Sequence, residues 1–178
     1  MTRFVGFAAG VLIAVSTWSI AAHKPVKVTI NFIDAQGVGK EAGTIVLKET
    51  ADGLEADTKL KGLPPGEHGF HLHQNPSCSP GDDKGKPAAG LAAGGHYDPN
   101  ATKAHKGPGG GGHMGDLPKL TVGSTGTANL KLKFPGLKLA DVMGKALVIH
   151  EGGDNYSDTP KPLGGGGPRI ACGVIPSH

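Results

Sequence analysis

Nine histidines occupy this 178-residue chain, at positions 23, 68, 71, 73, 96, 105, 113, 150 and 178. Imidazole is the commonest metal ligand among side chains and also carries protons near neutral pH. His71-Leu72-His73 has i, i+2 spacing. On a strand that spacing puts both rings on one face while Phe70 and Leu72 turn to the other. The pair supplies half of a four-nitrogen plane, although such pairs also occur in strands without a metal. His105 and His113, followed by Asp116, stand in a glycine-rich stretch, with His96 before them. Three imidazoles and one carboxylate suit a tetrahedral, redox-inert zinc site. The alternative is a flexible polar loop with incidental histidines. His150 closes an apolar stretch and on its own reads as a hydrogen-bonded structural histidine. Taken with His71, His73 and His96, it completes a nitrogen set that suits copper(II).

Positioning these residues falls to short strands. Val26 to Phe32 alternates apolar and polar residues, as does Thr127 to Phe134, and His68 to Gln74 alternates again. Thr44 to Glu49, Leu54 to Leu60, Ala146 to Ile149 and Ile170 to Ile175 read as further strands. Gln36 to Gly39 and Leu63 to Gly66 read as turns. Between them lie two long stretches without periodicity, 75–115 and 152–168. No helical period runs through ten residues of 23–178. Seven or eight short strands and two long loops predict an all-β fold, an antiparallel sandwich or barrel. Loops of that length in a compact domain are functional or disordered, and the histidines in and beside them favour function.

Glycine and proline number 31 and 14, but they cluster, leaving the strand segments intact. A net charge of +3 with scattered lysines, and aromatic residues at 4 %, argue against a nucleic-acid-binding protein. Residues 1–22 read as a secretory signal peptide: Arg3, an apolar run from Phe4 to Ile20, and cleavage after Ala21 or Ala22. A transmembrane anchor is the alternative, with an apolar run barely long enough to span. A lipoprotein would need a cysteine near the cut. The mature chain is then one domain, 23–178, with no stable membrane insertion. Its only cysteines are Cys78 and Cys172, and after export they suggest one disulfide, two separate thiols being the alternative. His23, as a new N-terminus, and His178 read as ordinary terminal residues, His23 with a weak extra copper affinity.

The segments Gly66–His73, Gly94–Pro99, His113–Asp116 and Gly167–Val174 resemble, in order and spacing, the signatures of copper/zinc superoxide dismutases. Ser77–Gly81 and Gly153–Asp158 are similar to the bacterial, periplasmic branch. The resemblance spans 25–176 and implies an eight-stranded antiparallel Greek-key sandwich or flattened barrel. It implies copper held by His71, His73, His96 and His150, zinc held by His96, His105, His113 and Asp116, and His96 shared as an imidazolate. It implies that Asp154 joins His71 to His105, that Cys78 pairs with Cys172, and that His68 bonds backbone. Arg169 and His96 are the implied catalytic residues. The expected reaction is the dismutation of superoxide to oxygen and hydrogen peroxide, copper cycling between Cu(II) and Cu(I). The expected setting is a periplasmic enzyme, with a homodimer as one assembly. Lys61 and Lys161 are candidates to steer the anion, or simply solvated lysines. Two other readings stand beside the enzyme. A non-catalytic metal-binding protein of the same fold would be expected to lack a copper ligand or the arginine. An electron-transfer copper protein would use a cysteine thiolate.

Overall fold

The computed structural model describes residues 24–177. The expected signal peptide, its cleavage site, His23 and His178 lie outside the described residues. In chain order the strands are β1 (Val26–Asp34), β2 (Gly37–Thr50), β3 (Gly53–Lys61), β4 (Gly66–His68) and β5 (Phe70–His73). A small hairpin follows, β6 (Gly81–Asp83) and β7 (Lys86–Ala88). Then come β8 (Leu120–Val122), β9 (Thr127–Ala128), β10 (Lys131–Pro135), the helical turn α1 (Leu139–Val142), β11 (Ala146–His150) and β12 (Arg169–Val174). Eight strands form one antiparallel sheet in the order β10-β3-β2-β1-β12-β11-β5, with β9 also pairing β3. β12 returns beside β1, giving the order β12-β1-β2-β3, which is the Greek-key arrangement. Among the described residues, no helix is long and apolar enough to cross a membrane.

Alternating apolar side chains bury one face of each outer strand, and β3 shows this without interruption: Leu54, Ala56, Thr58 and Leu60 point inward. Thr58 satisfies its hydroxyl inside by donating to the Ala128 carbonyl at 2.8 Å and accepting the Leu130 N–H at 2.9 Å. β1 departs from the simple alternation. A register shift after Ile30 moves the buried position from Phe32 to Ile33, as a β-bulge does. Ile33 thereby joins a second apolar cluster, with Ala93, Ala146, Val148 and the disulfide of Cys78 and Cys172. β11 is buried along its whole length. Leu147 and Ile149 face the main core, while Ala146 and Val148 face the disulfide cluster.

The predicted strand His68–Gln74 is two strands, β4 pairing β8 and β5 pairing β11. The turn at Gln36–Gly39 is tighter than expected, because Gly37 already belongs to β2.

Candidate metal centre

β5 has both of its edges used, and this builds the site. On one edge it pairs with β11, Val148 opposite His71 and Ala146 opposite His73. On the other edge Leu72 bonds two loop residues. Its carbonyl accepts the Tyr97 N–H at 2.8 Å, and its N–H donates to the Gly115 carbonyl at 2.9 Å. The Gly115 N–H closes the triangle on the Tyr97 carbonyl at 2.8 Å. The residues next to these contacts, His96 and Asp116, are therefore brought opposite His73 and His71. Phe70 and Leu72 enter the core as the spacing predicts. The opposite face of β5 is buried too, with His71 and His73 at 0 % and 1 % exposure, because the two long loops cover it.

Two groups result. His71, His73, His96 and His150 each place one ring nitrogen within 4.8 Å of the others, and so do the coordinating atoms of His96, His105, His113 and Asp116. His96 belongs to both. The side chains expected as ligands gather into these two groups.

In the first group, the ring nitrogens facing away from the centre are occupied. His73 Nδ1 donates to the Gly94 carbonyl at 2.9 Å, and His150 Nδ1 donates to the Gly167 carbonyl at 3.0 Å. His71 Nε2 donates to Asp154 at 2.8 Å. A neutral imidazole carries a proton on only one nitrogen. The inward nitrogens are thus bare lone pairs, and His150 Nε2 faces His73 Nε2 at 3.4 Å with no proton between them. His71 Nδ1 and His96 Nε2 are buried without any hydrogen-bond partner. Buried acceptors without partners are costly, and four converging lone pairs repel unless a cation sits among them. The residues fit a copper ion.

In the second group, three Nδ1 atoms gather on one carboxylate oxygen. Asp116 Oδ1 lies 2.9 Å from His96, 2.9 Å from His105 and 3.1 Å from His113. Three nitrogens and a carboxylate are the donor set of zinc. A cavity of about 290 Å³ reaches this group from outside, between the glycine-rich loop and Phe134–Leu137, and is lined by His113 and Asp116.

Asp154 links the two halves. It accepts His71 Nε2 on Oδ2, His105 Nε2 at 2.7 Å on Oδ1, and the Tyr156 N–H at 2.7 Å on Oδ1. This fixes both rings and leaves their Nδ1 atoms turned inward. Gly164 lies against this pair at φ +71°, where a Cβ would collide with Asp154 Oδ1 and stand 2.8 Å from His105 Nε2. Only glycine allows the loop to seal the bond from water at that distance.

Burial dominates the electrostatics of the first group. It pushes the pKa of His71 and His73 down, that of His96 to about 4 and that of His150 to about 3. These rings are neutral at pH 7, the form that binds a metal. His105 goes the other way. Burial opposes its charge, but the carboxylates of Asp116 and Asp154, accepting from the ring, outweigh that and raise it to about 9. Burial would raise both carboxylates, yet their imidazole partners hold them below the usual carboxylate range.

Arg169 begins β12, across from His150 in the register. Its guanidinium donates to the Gly90 carbonyl and, at 2.7 Å, to the Gly94 carbonyl that also accepts His73. His68 spans the carbonyls of His150 and Pro64 at 2.7 and 2.8 Å and stands outside both groups. Lys61 and Lys161 are exposed. Gly94 and Gly167 open two of the segments that carry the resemblance, but that their carbonyls orient rings does not show in the sequence, because a carbonyl leaves no mark on residue type.

A curled antiparallel β-sheet carrying two largely buried ligand groups that share one imidazole is the architecture of a β-protein with a paired metal centre. The family model described as copper/zinc superoxide dismutase matches residues 41–175. The Salmonella typhimurium protein "Superoxide dismutase [Cu-Zn] 2" is 57 % identical over 84 % of this chain and 87 % of its own. The Escherichia coli K12 "Superoxide dismutase [Cu-Zn]" is 51 % identical over 92 % of this chain and 94 % of its own. The solved Brucella abortus copper/zinc superoxide dismutase superposes with a TM-score of 0.84 at 50 % identity, covering 85 % of this chain and 99 % of that one. The chain belongs to the copper/zinc superoxide dismutase family, among its bacterial members. It is an oxidoreductase that converts superoxide to oxygen and hydrogen peroxide, with copper and zinc as cofactors. The relatives' names favour no non-catalytic alternative.

Proposed function

We propose that His71, His73, His96 and His150 would hold the copper and that His96, His105, His113 and Asp116 would hold the zinc, His96 being common to both sets. The observation that carries this is the set of inward-facing nitrogens without protons or partners, His71 Nδ1 and His96 Nε2 among them. Copper held there supplies the one-electron exchange with superoxide, which zinc, having no redox change, does not.

The chain's own residues do the rest. Two of the five guanidinium donors of Arg169 are tied to Gly90 and Gly94. The remaining donors receive a small anion beside His73 and His150. His96 Nε2 would hold a proton between the two half-reactions, while Nδ1 stays in the second group beside Asp116 and keeps the ring from turning. Asp154 fixes His71 and His105 throughout.

Superoxide consumption, metal content and electron paramagnetic resonance of His150→Ala test the assignment. The variant should lose copper and activity while retaining zinc. Activity equal to wild type would remove the copper assignment.

We also read residues 1–22 as a leader and 23–178 as the mature domain of a periplasmic enzyme. Fractionation of a bacterial host and the mass of the exported chain check this. The homodimer is weighed against the monomeric Salmonella enterica copper/zinc superoxide dismutase, 56 % identical. Sedimentation equilibrium of the mature chain decides between them.

A further inference from the structure

The segment Asp154–Asp158 does more than supply the carboxylate between His71 and His105. Asp158 is exposed, yet both of its oxygens are used. Oδ2 accepts the His105 N–H at 2.8 Å and Oδ1 accepts the Leu163 N–H at 3.1 Å. One carboxylate therefore joins the backbone of His105 to the far side of the other long loop. Tyr156 makes a second junction. Its backbone sits at φ 59°, a region that a bulky side chain enters only when its contacts hold it there. Its hydroxyl accepts the Lys119 N–H at 3.0 Å, where the first loop leads into β8. Its side chain lies against Gly107, two residues beyond His105. A Cβ on Gly107 would stand 2.6 Å from Tyr156 Cγ. The glycine-rich loop is thus gripped at its start, through His105 and Gly107, and at its end, through Lys119. The hydrogen bonds of both side chains end on backbone N–H groups rather than on the copper-side rings His73 and His150.

We propose that Tyr156 and Asp158 are positioning residues for the zinc half of the centre, clasping the glycine-rich loop so that His105 is presented to Asp116. The proposal rests on the zinc ligand set given above. It makes the two long loops one unit in holding zinc; the copper half joins that unit through His96 and Asp154, and neither the Tyr156 nor the Asp158 side chain bonds a copper-side ring directly. Residues that orient metal ligands from outside are worth about 10- to 100-fold in metal affinity.

The test is competition between the purified protein and a chelator, for zinc and copper separately, in wild type, Asp158→Ala, Tyr156→Ala and Tyr156→Phe. Asp158→Ala and Tyr156→Ala should each weaken zinc binding about 10- to 100-fold and alter the visible spectrum of cobalt bound in zinc's place. Copper affinity and the melting temperature of the metal-free protein should hold. Tyr156→Phe keeps the ring on Gly107 and should recover part of the loss. Zinc affinity within about twofold of wild type in both alanine variants overturns the proposal. So does a joint fall of zinc affinity, copper affinity and metal-free melting temperature, which would mean general scaffolding. Asp116→Ala serves as the control. If zinc binds it as tightly as wild type, the ligand assignment fails and the proposal fails with it.

Discussion

Four imidazoles of the centre, those of His71, His73, His105 and His150, are aimed by what the outer nitrogen touches. Gly94, Gly167 and Asp154 take the outer protons of His73, His150 and His71, so the inward lone pairs follow from single-proton tautomers. Arg169 belongs to this scale as well. Losing one charge-assisted contact with the substrate costs about 1.5–3 kcal/mol, which is roughly 10- to 100-fold in rate. Arg169→Ala should therefore lower kcat/KM by about that factor with copper and zinc contents intact. Metal loss in that variant would make the arginine a structural residue instead. At this scale the sequence was highly readable for side chains. Six histidines and Asp116 stood at legible spacings, and each lies in one of the two groups. What it could not reveal were contacts made by backbone. Asp158 and Tyr156 act through N–H groups and a glycine face, and neither follows a period.

The strands were legible where they bury one face and blurred where they do not. β3 alternates cleanly and matches its predicted extent to within a residue at each end. β8 was missed because three residues carry no measurable period, and the polar hairpin β6–β7 has no apolar face to detect. The bulge in β1 defeats a straight alternation, since one extra residue reverses which side chains turn inward. The loop carrying His105 and His113 is a different kind of element. Between Gly107 and Gly112 its internal backbone bonds are few, Gly110 to Gly107 at 3.2 Å being one. Glycine loses more freedom on ordering than other residues do. Hydrogen exchange at 106–113 should be fast in metal-free protein and slow by at least about tenfold on zinc loading. Equal protection in both states would contradict this.

Across the whole molecule, the buried rings make metal-free stability depend on pH in two opposed ways. His96 and His150 are held at about 4 and about 3, with His71 and His73 also lowered. The unfolded chain takes up these protons from about pH 6.5 downward, so stability falls as pH drops through that range. Asp116 and Asp154, held low in the fold, add to the loss below about pH 4. His105, raised to about 9, contributes stability that is complete below its unfolded value and is lost as pH rises toward 9. With four rings lowered and one raised, denaturation midpoints of the metal-free protein should peak at about pH 7, and a profile rising steadily to pH 9 would refute this assignment. The shared acceptor at Gly94 has a reach beyond the contact itself. One oxygen anchors both the cation that greets the substrate and a ring beside the reacting ion. A backbone change that moves the Gly94 carbonyl shifts the arginine and the imidazole together, so through that residue selectivity and electron transfer cannot be retuned one at a time.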